Sequence, residues 1–293
     1  MEGVLNVFKE EDMTSHDVVA ILRGTTGQRR MGHTGTLDPQ VTGVLPICLG
    51  RATKLADYIS EQGKTYEGSL VFGIRTDTLD LGGEITERSD QTRFSPEEIR
   101  RAMKAFIGTI QQVPPMYSAV QVQGQRLYDL ARQGKKVERK AREVTIYDFS
   151  PMAFHEEGVD FTCSCSKGTY IRTLVDDLGK ALGTWATTSR LVRTRVGPFS
   201  IDRAVPISRL RTMEREEIAS LLLPMDQSIP HLPVLELGSS EGKVLRLGGF
   251  IRQPQLADSP PDKLYRIYDP RGFIGLGYFD GEKERLRMKK VLA

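Results

Sequence analysis

The sequence is poor in the residues that build disulfide and metal sites. It has three cysteines and four histidines among 293 residues. An odd number of cysteines argues against a disulfide framework and favours a reducing compartment. Cys163 and Cys165 lie in a stretch, 159–166, that alternates apolar and polar residues as a strand does, so we expect both in a core. The scattered histidines offer no second half for a zinc site.

Long hydrophobic segments are also lacking. No apolar run approaches the ~18 residues that a membrane span needs. The first residues, MEGVLNVFKEEDM, lack the basic region and the long apolar core of a signal peptide. We therefore expect a cytoplasmic protein without membrane attachment. Apolar residues make up 39% and charged residues 27% of the chain, as in ordinary globular proteins.

Neither sign of charge is in large excess, because the net charge is only +3. The positive charges are nevertheless clustered. The run from Lys135 to Arg142 holds five cations and one acid, and Arg190, Arg193 and Arg195 recur at short spacing. One such cluster is typical of a solvated surface, but several together modestly favour a partner with a phosphate backbone.

The chain contains both helical and strand patterns. We interpret residues from about 110 to 142 as an arm inserted between core elements. A Pro-rich linker at 224–233 separates a domain of residues 1–230 from a small β domain of residues 231–293. Helices are predicted from the cap Thr14 to Gly24, from the cap Ser95 to Gly108, over 169–182 and over 208–223, and strands over 65–72, 144–149, 159–166, 264–268, 273–279 and 285–292.

A loop that begins at Arg29, RRMGHTGTLDPQVTGVLPICLGRATKL, holds a single carboxylate, Asp38, among glycines, threonines and prolines. Asp-Pro commonly opens a turn, so the local signal favours a structural role. The nearby cations Arg29, Arg30 and Arg51, with His33 close in sequence, would instead suit a site built around an anionic carboxylate. No phosphate-loop or metal-ligand spacing accompanies it. Both interpretations stay open at this point.

Other candidate residues have equally ordinary interpretations. The polar loop from Arg75 to Asp80 follows a strand and could be a charged hairpin with ion pairs of little energetic value. Tyr170 and Arg172 lie in the first turn of a predicted helix, where packing and solvent contact would explain them. Tyr66 on an apolar strand face would usually be a core residue. None of these residues indicates a function by itself.

Taken together, these segments resemble the TruB family of tRNA pseudouridine synthases. The block GHTGTLDP at 32–39 is highly specific, and the blocks follow in family order over most of residues 1–205. The others are TGVLP at 42–46, ATK at 52–54, KTY at 64–66, RTDT at 75–78, PPMYSA at 114–119, GTYIRTL at 168–174 and LVR at 191–193. The resemblance implies an α+β pseudouridine synthase fold, with a central, mainly antiparallel or mixed sheet flanked by helices. More weakly, it implies a PUA-like RNA-binding domain at the C-terminus.

The activity that the resemblance implies is the isomerisation of uridine 55 in the T-loop of tRNA. The N1–C1′ glycosidic bond breaks, the base turns, and the base rejoins the sugar through C5. No cofactor or metal is implied, because the reaction involves no redox change and no external group donor. The implied partner is the tRNA T-stem-loop, with the arm that carries Lys135 to Arg142 gripping the loop and the β domain holding the acceptor end. A monomer is the family expectation.

The resemblance also implies roles for individual residues. Asp38 matches the catalytic carboxylate, and Arg172 is expected to pair with it and aim it. Tyr170 matches a second pocket tyrosine that assists proton removal from C5. The residues expected to bind the extruded uridine or the RNA are Tyr66 as the stacking platform, Leu191 as an apolar wall, His33 beside the vacated position and Asp80 in support.

The chain departs from the family pattern in two places. The usual Lys-Pro-x-Gly stretch reads Lys9-Glu10-Glu11-Asp12, and the usual lysine after Tyr-Ser-Ala-x is Gln121. Both departures lie outside the catalytic blocks, so we expect them to bear on RNA affinity and arm contacts rather than on chemistry. Two other functions remain: an RNA chaperone that uses the same pocket without chemistry, and a hydrolase that uses Asp38 with His33.

Overall fold

The computed structural model describes residues 1–118, 120–122, 124–135, 137–256, 259–260 and 263–293. Two residues of the sequence patterns, Ala119 of the PPMYSA block and Lys136 of the basic run, lie outside the described residues. None of the described helices is long and apolar enough to cross a membrane.

Strands dominate the described part of the chain. The strands are β1 Gly3–Lys9, β2 Met31–His33, β3 Thr42–Leu49, β4 Lys64–Phe72, β5 Ile74–Thr76, β6 Ile85–Arg88, β7 Gly108–Gln112, β8 Gln121–Val122, β9 Gln125–Arg126, β10 Arg142–His155, β11 Gly158–Cys165, β12 Ala186–Val196, β13 Phe199–Ser200, β14 Val205–Pro206, β15 Val234–Glu236, β16 Phe250–Arg252, β17 Leu264–Asp269, β18 Gly272–Asp280 and β19 Arg285–Val291. The α-helices are α1 Ser15–Thr26, α2 Ala56–Ser60, α3 Pro96–Lys104, α4 Leu127–Arg132, α5 Ile171–Ala181, α6 Ile207–Leu210, α7 Arg215–Ser220 and α8 Ser239–Arg246. Short 3-10 helices occupy Gly50–Leu55, Ile201–Arg203, Asp226–Ser228 and Pro254–Leu256.

Ten of the described strands form one mixed sheet. Its order is β14-β1-β3-β12-β4-β11-β10-β7, with β2 paired to β3 and β13 paired to β12. The β1/β14 and β12/β3 pairs are parallel and the other pairs are antiparallel. The predicted α+β fold with a mixed central sheet is therefore confirmed. Because β12 lies between β3 and β4, three distant parts of the sequence meet at the centre of the sheet.

Helices α1, α3 and α5 pack on one face of this sheet and form the main core. Leu22 of α1 and Leu174 of α5 are fully buried there. Cys163 and Cys165 lie in the same core, as predicted, and are both 0% exposed. Burial of these apolar side chains fixes α5 against the sheet, which matters because the site begins at its first residue.

The second sheet has the order β15-β17-β18-β19-β16 and carries α8. It has a small core of its own. Leu276 and Leu292 of this part also pack against the face of the large sheet opposite α5. The three predicted strands are confirmed, whereas the three-residue strands β15 and β16 and the helix α8 were not predicted. The predicted linker is packed rather than loose, because Ile229 within it is 0% exposed.

Three predicted helices end or divide differently in the structure. The helix from Ser95, predicted to reach Gly108, ends at Lys104, and Gly108 begins β7. Thr14 and Asp17 form the expected capping box, but α1 continues through the predicted end at Gly24 to Thr26 and closes at Gly27, whose φ of 67° is left-handed. The predicted helix over 208–223 is wrong: two short helices, α6 and α7, replace it. The division occurs because Glu214 starts α7, its main-chain N–H donating to the Glu217 carboxylate at 2.7 Å.

The segment between β7 and β10, residues 113–141, leaves the edge of the large sheet, and we call it the arm. Its described residues hold the β8–β9 hairpin and α4. Both ends of the arm are tied together, since Gln112 and Arg142 are partners in the β7/β10 ladder. The Arg139 guanidinium in the basic run also donates to the Pro114 carbonyl at 3.0 Å.

Candidate active site

The loop that carries Asp38 joins β2 to β3 and is held from two sides. The Leu37 N–H donates to the Ser15 hydroxyl at 2.9 Å, at the start of α1. The ammonium of Lys9, which is 0% exposed, donates to the Pro39 carbonyl at 2.9 Å. The Val41 N–H closes the turn on the Asp38 carbonyl at 3.1 Å. These bonds fix the backbone on both sides of Asp38, whose side chain is 44% exposed.

Arg172 is the ion-pair partner of Asp38 among the described residues. Its Nη2 lies 2.7 Å from Asp38 Oδ2, and its side chain is only 6% exposed. The same guanidinium donates to the carbonyls of Tyr117, at 2.9 Å, and Thr78, and its Nη1 lies 3.5 Å from Asp80 Oδ2. A buried guanidinium with this many acceptors holds a fixed orientation, so it can aim the carboxylate.

Two of the three arginines that the sequence placed beside Asp38 have other partners. Arg30 donates to the Thr53 hydroxyl at 2.9 Å, and Arg51 faces Glu2 at 3.6 Å. The expectation that these flanking arginines surround Asp38 is therefore wrong. They are close in sequence only, because β3 carries the chain away from the Asp38 loop before Arg51 is reached.

Helix α5 presents two of the candidate residues. The chain leaves β11, turns at Gly168 with a left-handed φ of 81°, and enters the helix at its N-cap, Tyr170. Arg172 is the second residue of α5. Further along, Asp176 receives hydrogen bonds from the Arg75 guanidinium at 2.6 and 3.2 Å, which tie α5 to the RTDT loop. The two blocks found in the sequence thus hold one another in place.

A cavity of about 570 Å³ lies between the Asp38 loop, the centre of the sheet and the start of α5. Five of the seven predicted site residues line it: Asp38, Tyr66, Tyr170, Arg172 and Leu191. The other two, His33 and Asp80, lie beside it instead. Asp80 reaches the site through Arg172, whereas His33 is at the end of β2.

Tyr66 is a buried wall of the cavity, 8% exposed, on β4. Burial raises the pKa of its phenol to about 12, although the neighbouring Arg193 acts in the opposite direction. The ring is therefore neutral at physiological pH. Leu191 of β12 is the cross-strand partner of Gly68 in β4. A Cβ added at Gly68 would lie 2.7 Å from the Arg190 carbonyl oxygen. Glycine at that position lets β12 bring Leu191 to the wall.

Tyr170 is half-buried on the opposite side of the cavity. Burial raises the pKa of its phenol, and the charge of Asp38 acts in the same direction. A neutral phenol close to the carboxylate can donate or relay a proton, but it does not compete with Asp38 as an anion.

His33 forms an edge-to-face pair with His16, with ring centroids 5.2 Å apart and an interplanar angle of 82°. Burial, followed by the charges of His16 and Arg193, lowers the pKa of His33 to about 4. His33 is thus a neutral imidazole, suited to hydrogen bonding rather than to ion pairing with phosphate.

Two buried cations at the cavity were not predicted as site residues. Arg193, 1% exposed, donates to the carbonyls of Val44 at 2.8 Å and Gly35 at 3.1 Å. Lys64 donates to the Ser60 carbonyl at 2.7 Å, and burial, followed by the charge of Arg193, lowers its pKa to about 8. Lys64 lies in the KTY block and Arg193 in the LVR block. In these blocks only Tyr66 and Leu191 were predicted as site residues. Their charges suit an RNA ligand.

Comparison with protein families shows that the chain with this mixed sheet and this tyrosine-lined cavity is a pseudouridylate synthase. The model of the TruB family pseudouridylate synthase N-terminal domain matches residues 23–171. The model of the tRNA pseudouridylate synthase B C-terminal domain matches residues 172–229. The chain belongs to the TruB family. The boundary between the two models falls inside α5.

Relatives similar over the full length support the same assignment. The chain is 42% identical over 295 residues to tRNA pseudouridine synthase B of Alkaliphilus oremlandii, covering 100% of this chain and 98% of the relative. It is 40% identical to tRNA pseudouridine synthase B of Clostridium perfringens strain SM101, covering 100% and 99%.

Among solved structures, a chain of a Cbf5-Nop10-Gar1 complex superposes with a TM-score of 0.73 at 26% identity, covering 99% of this chain and 84% of that chain. A chain of an H/ACA RNP bound to a substrate RNA containing 2′-deoxyuridine gives a TM-score of 0.75 at 24% identity, covering 99% and 85%. This second likeness concerns the fold alone.

Proposed function

We propose that the protein converts uridine 55 in the T-loop of tRNA to pseudouridine and that Asp38 is the catalytic carboxylate. The observation that carries the proposal is the 2.7 Å pair between Arg172 Nη2 and Asp38 Oδ2 at a cavity lined by two tyrosines. The names of the full-length relatives supply the tRNA substrate. Position 55 rests on the family resemblance of the GHTGTLDP block.

The target uridine must leave the base stack before it can enter the cavity, at a cost of a few kcal/mol. Stacking on the neutral ring of Tyr66 would offset part of that cost, since base–aromatic stacking contributes about 1–3 kcal/mol. Leu191 closes the apolar side of the cavity. His33, neutral and outside the cavity wall, would contact the RNA where the uridine has left.

The chemistry then needs one carboxylate. Arg172 holds Asp38 towards the uridine, where it acts on the sugar or the base as the N1–C1′ bond breaks. The uracil turns and C5 bonds to C1′. The proton on C5 leaves with assistance from the Tyr170 phenol, and N1 gains a proton, so that the product is an isomer of the substrate. Asp80 supports the step by its position 3.5 Å from Arg172.

The remaining parts of the chain would bind the rest of the tRNA. We assign residues 1–230 to the catalytic domain, with the arm gripping the T-loop, and residues 231–293 to a PUA-like domain for the acceptor end. The last strand of that domain, β19, carries Arg285, Arg287, Lys289 and Lys290. In this proposal the protein acts on the T-stem-loop as a monomer in the cytoplasm.

The test is incubation of the protein with unmodified tRNA, followed by carbodiimide labelling and primer extension to read position 55. We expect pseudouridine there and none in a transcript with cytidine at that position. Asp38→Asn should lower the single-turnover rate by at least about 10⁴-fold and still bind tRNA. Asp90→Asn, at an exposed acid, is the matched control. Binding by the wild-type protein without pseudouridine would indicate a chaperone instead.

A further inference from the structure

Gln112 is the last residue of β7, immediately before the arm, and it is 2% exposed. Its side-chain carboxamide faces the main chain of Tyr170, across 58 residues of sequence. The Tyr170 N–H donates to Gln112 Oε1 at 2.8 Å, and Gln112 Nε2 donates to the Tyr170 carbonyl at 3.1 Å. One planar amide therefore takes up both main-chain polar groups of a candidate catalytic residue.

This contact lies at the residue whose backbone orients the Tyr170 phenol and Arg172. Tyr170 is the N-cap of α5, with φ −102° and ψ 107°, and no side chain caps the helix there. A small rotation of the backbone at this residue would move the phenol in the cavity. It would also move Arg172, two residues further on, and with it the 2.7 Å contact to Asp38.

Glutamine suits this place because it offers a donor and an acceptor in one plane at the end of a side chain long enough to reach from β7. A residue without these groups would leave a buried N–H and an additional carbonyl lone pair of Tyr170 without partners. Helix capping alone would be met by a short Ser, Thr or Asp at residue 170 itself. The chain instead keeps a tyrosine there and supplies the polar partner from another strand.

Residues that follow Gln112 also lie close to Arg172 and Tyr170. The Tyr117 carbonyl accepts from Arg172 Nη2 at 2.9 Å, and Ser118, 4% exposed, lines the cavity with Tyr170. The end of β7 is thus bonded to Tyr170, and the beginning of the arm is bonded to Arg172. Arg139, from the basic run, holds Pro114 in the same region.

We propose that Gln112 is a positioning residue for pseudouridine formation, which fixes Tyr170, and through α5 the Arg172–Asp38 pair, by its two hydrogen bonds to the Tyr170 main chain. It touches no reacting atom and acts through Tyr170. The inference rests on the proposed function. Because the same strand leads into the arm, the position of the arm's first residues and the aim of the catalytic carboxylate depend on one junction.

The test compares Gln112→Met, which keeps the length of the side chain and removes its polar groups, with Gln111→Met at the exposed neighbouring position. Single-turnover rates on unmodified tRNA and tRNA dissociation constants are measured well below each variant's unfolding temperature. We expect the rate of Gln112→Met to fall by about 10–100-fold while the dissociation constant changes less than about 3-fold. Gln111→Met should match the wild type in both.

A double-mutant cycle with Tyr170→Phe separates positioning from a merely structural role. If Gln112 acts through Tyr170, the loss from Tyr170→Phe will be smaller in the Gln112→Met background than in the wild type. Multiplicative losses, a Gln112→Met rate within 3-fold of the wild type, or a loss confined to tRNA binding would each overturn the inference. Failure of the wild-type protein to form pseudouridine would overturn the proposed function instead.

A second variant keeps the test decisive if Gln112→Met does not fold. Gln112→Asn retains the carboxamide but shortens its reach by one methylene, so we expect a smaller loss of rate in the same direction with binding unchanged. A Gln112→Asn enzyme that is folded and as fast as the wild type would count against the inference.

Discussion

The ammonium of Lys9 donates a hydrogen bond to the carbonyl oxygen of Pro39 at 2.9 Å, although 30 residues separate them in sequence. Lys9 ends β1, and the same Nζ donates to the carbonyls of Glu10 at 2.9 Å and Met13 at 2.8 Å. A buried lysine thus joins the end of one strand to the loop that carries Asp38. It is the lysine of the family's Lys-Pro-x-Gly stretch, whose next residues differ in this chain.

Replacing Lys9 with methionine should loosen the Asp38 loop. Three carbonyls would lose a charged donor, so we expect pseudouridine formation to slow by about 10-fold or more while tRNA binding is nearly retained. Single-turnover rates and dissociation constants measure the two effects. Lys104→Met, at an exposed position of α3, is the matched control. A wild-type rate in Lys9→Met would show that the lysine does not hold the loop.

The same residue predicts a pH dependence of stability. Burial lowers the pKa of Lys9 to about 8 in the folded protein, whereas an unfolded lysine has a pKa near 10.4. Between these values the unfolded chain binds more protons, so the contribution of Lys9 to stability rises with pH above 8. Urea unfolding at pH 7.5 and 9.5 should therefore show a larger gain for the wild type than for Lys9→Met. An equal gain in both would contradict the prediction.

Asp12 stands where the family usually has glycine, and its φ of 58° is left-handed. Aspartate tolerates this conformation better than most residues, but glycine has no Cβ to strain it. We expect Asp12→Gly to raise the free energy of unfolding by up to about 1 kcal/mol. Thermal unfolding measures the change. Glu11→Gly, outside the left-handed region, should instead lower stability.

The departure at Glu10 has a compensation in the structure. Its carboxylate accepts from the Ser208 N–H at 3.1 Å and the Ser208 hydroxyl at 2.7 Å, at the start of α6. The family proline could not make these bonds. Glu10 therefore joins the end of β1 to the start of α6.

Arg172 should not be replaceable by lysine. The buried guanidinium serves Asp38, Asp80 and two carbonyls at once, which a single ammonium cannot do. We expect Arg172→Lys to slow pseudouridine formation by at least about 100-fold and to lower the unfolding temperature. Arg101→Lys, at an exposed position of α3, should change neither. A rate close to that of the wild type would mean that the carboxylate needs no fixed partner.

His33 predicts a loss of stability in mild acid. Its pKa is lowered to about 4 in the folded protein by burial and by the charges of His16 and Arg193, against about 6.5 when unfolded. The unfolded chain binds more protons between these values, so stability falls as the pH drops from 7 to 5, by about 1–2 kcal/mol from this group. His33→Gln should show a smaller fall in chemical unfolding experiments. An NMR titration with a pKa near 6.5 would contradict the assignment.

The sequence predicted the site better where a block of motif residues is continuous than where contacts join distant segments. The blocks around Asp38 and Arg172 indicated a pair that the structure places at 2.7 Å. The contacts of Lys9 with Pro39 and of Gln112 with Tyr170 involve main-chain groups, which carry no residue-type signal. They become visible only when the strands are placed beside one another.

Secondary structure was likewise predicted better where the signal is local in sequence than where it depends on contacts with distant segments. The capping boxes at Thr14 and Ser95 started helices as predicted. The single helix predicted over 208–223 was wrong because its apolar spacing continues across the break at Glu214, where a new cap competes with helix continuation. The strands β15 and β16 are too short to show a period of two, and pairing with longer neighbours holds them in the sheet.

The placement of β12 between β3 and β4 has a consequence for synthesis of the protein. A growing chain presents Asp38 and Tyr66 to the cell more than 100 residues before Leu191 and Arg193 are made. Until that strand has left the ribosome, the sheet lacks the strand that pairs with both β3 and β4. The cavity is therefore a late product of translation, and a chain released before β12 would bring no assembled pocket to its RNA.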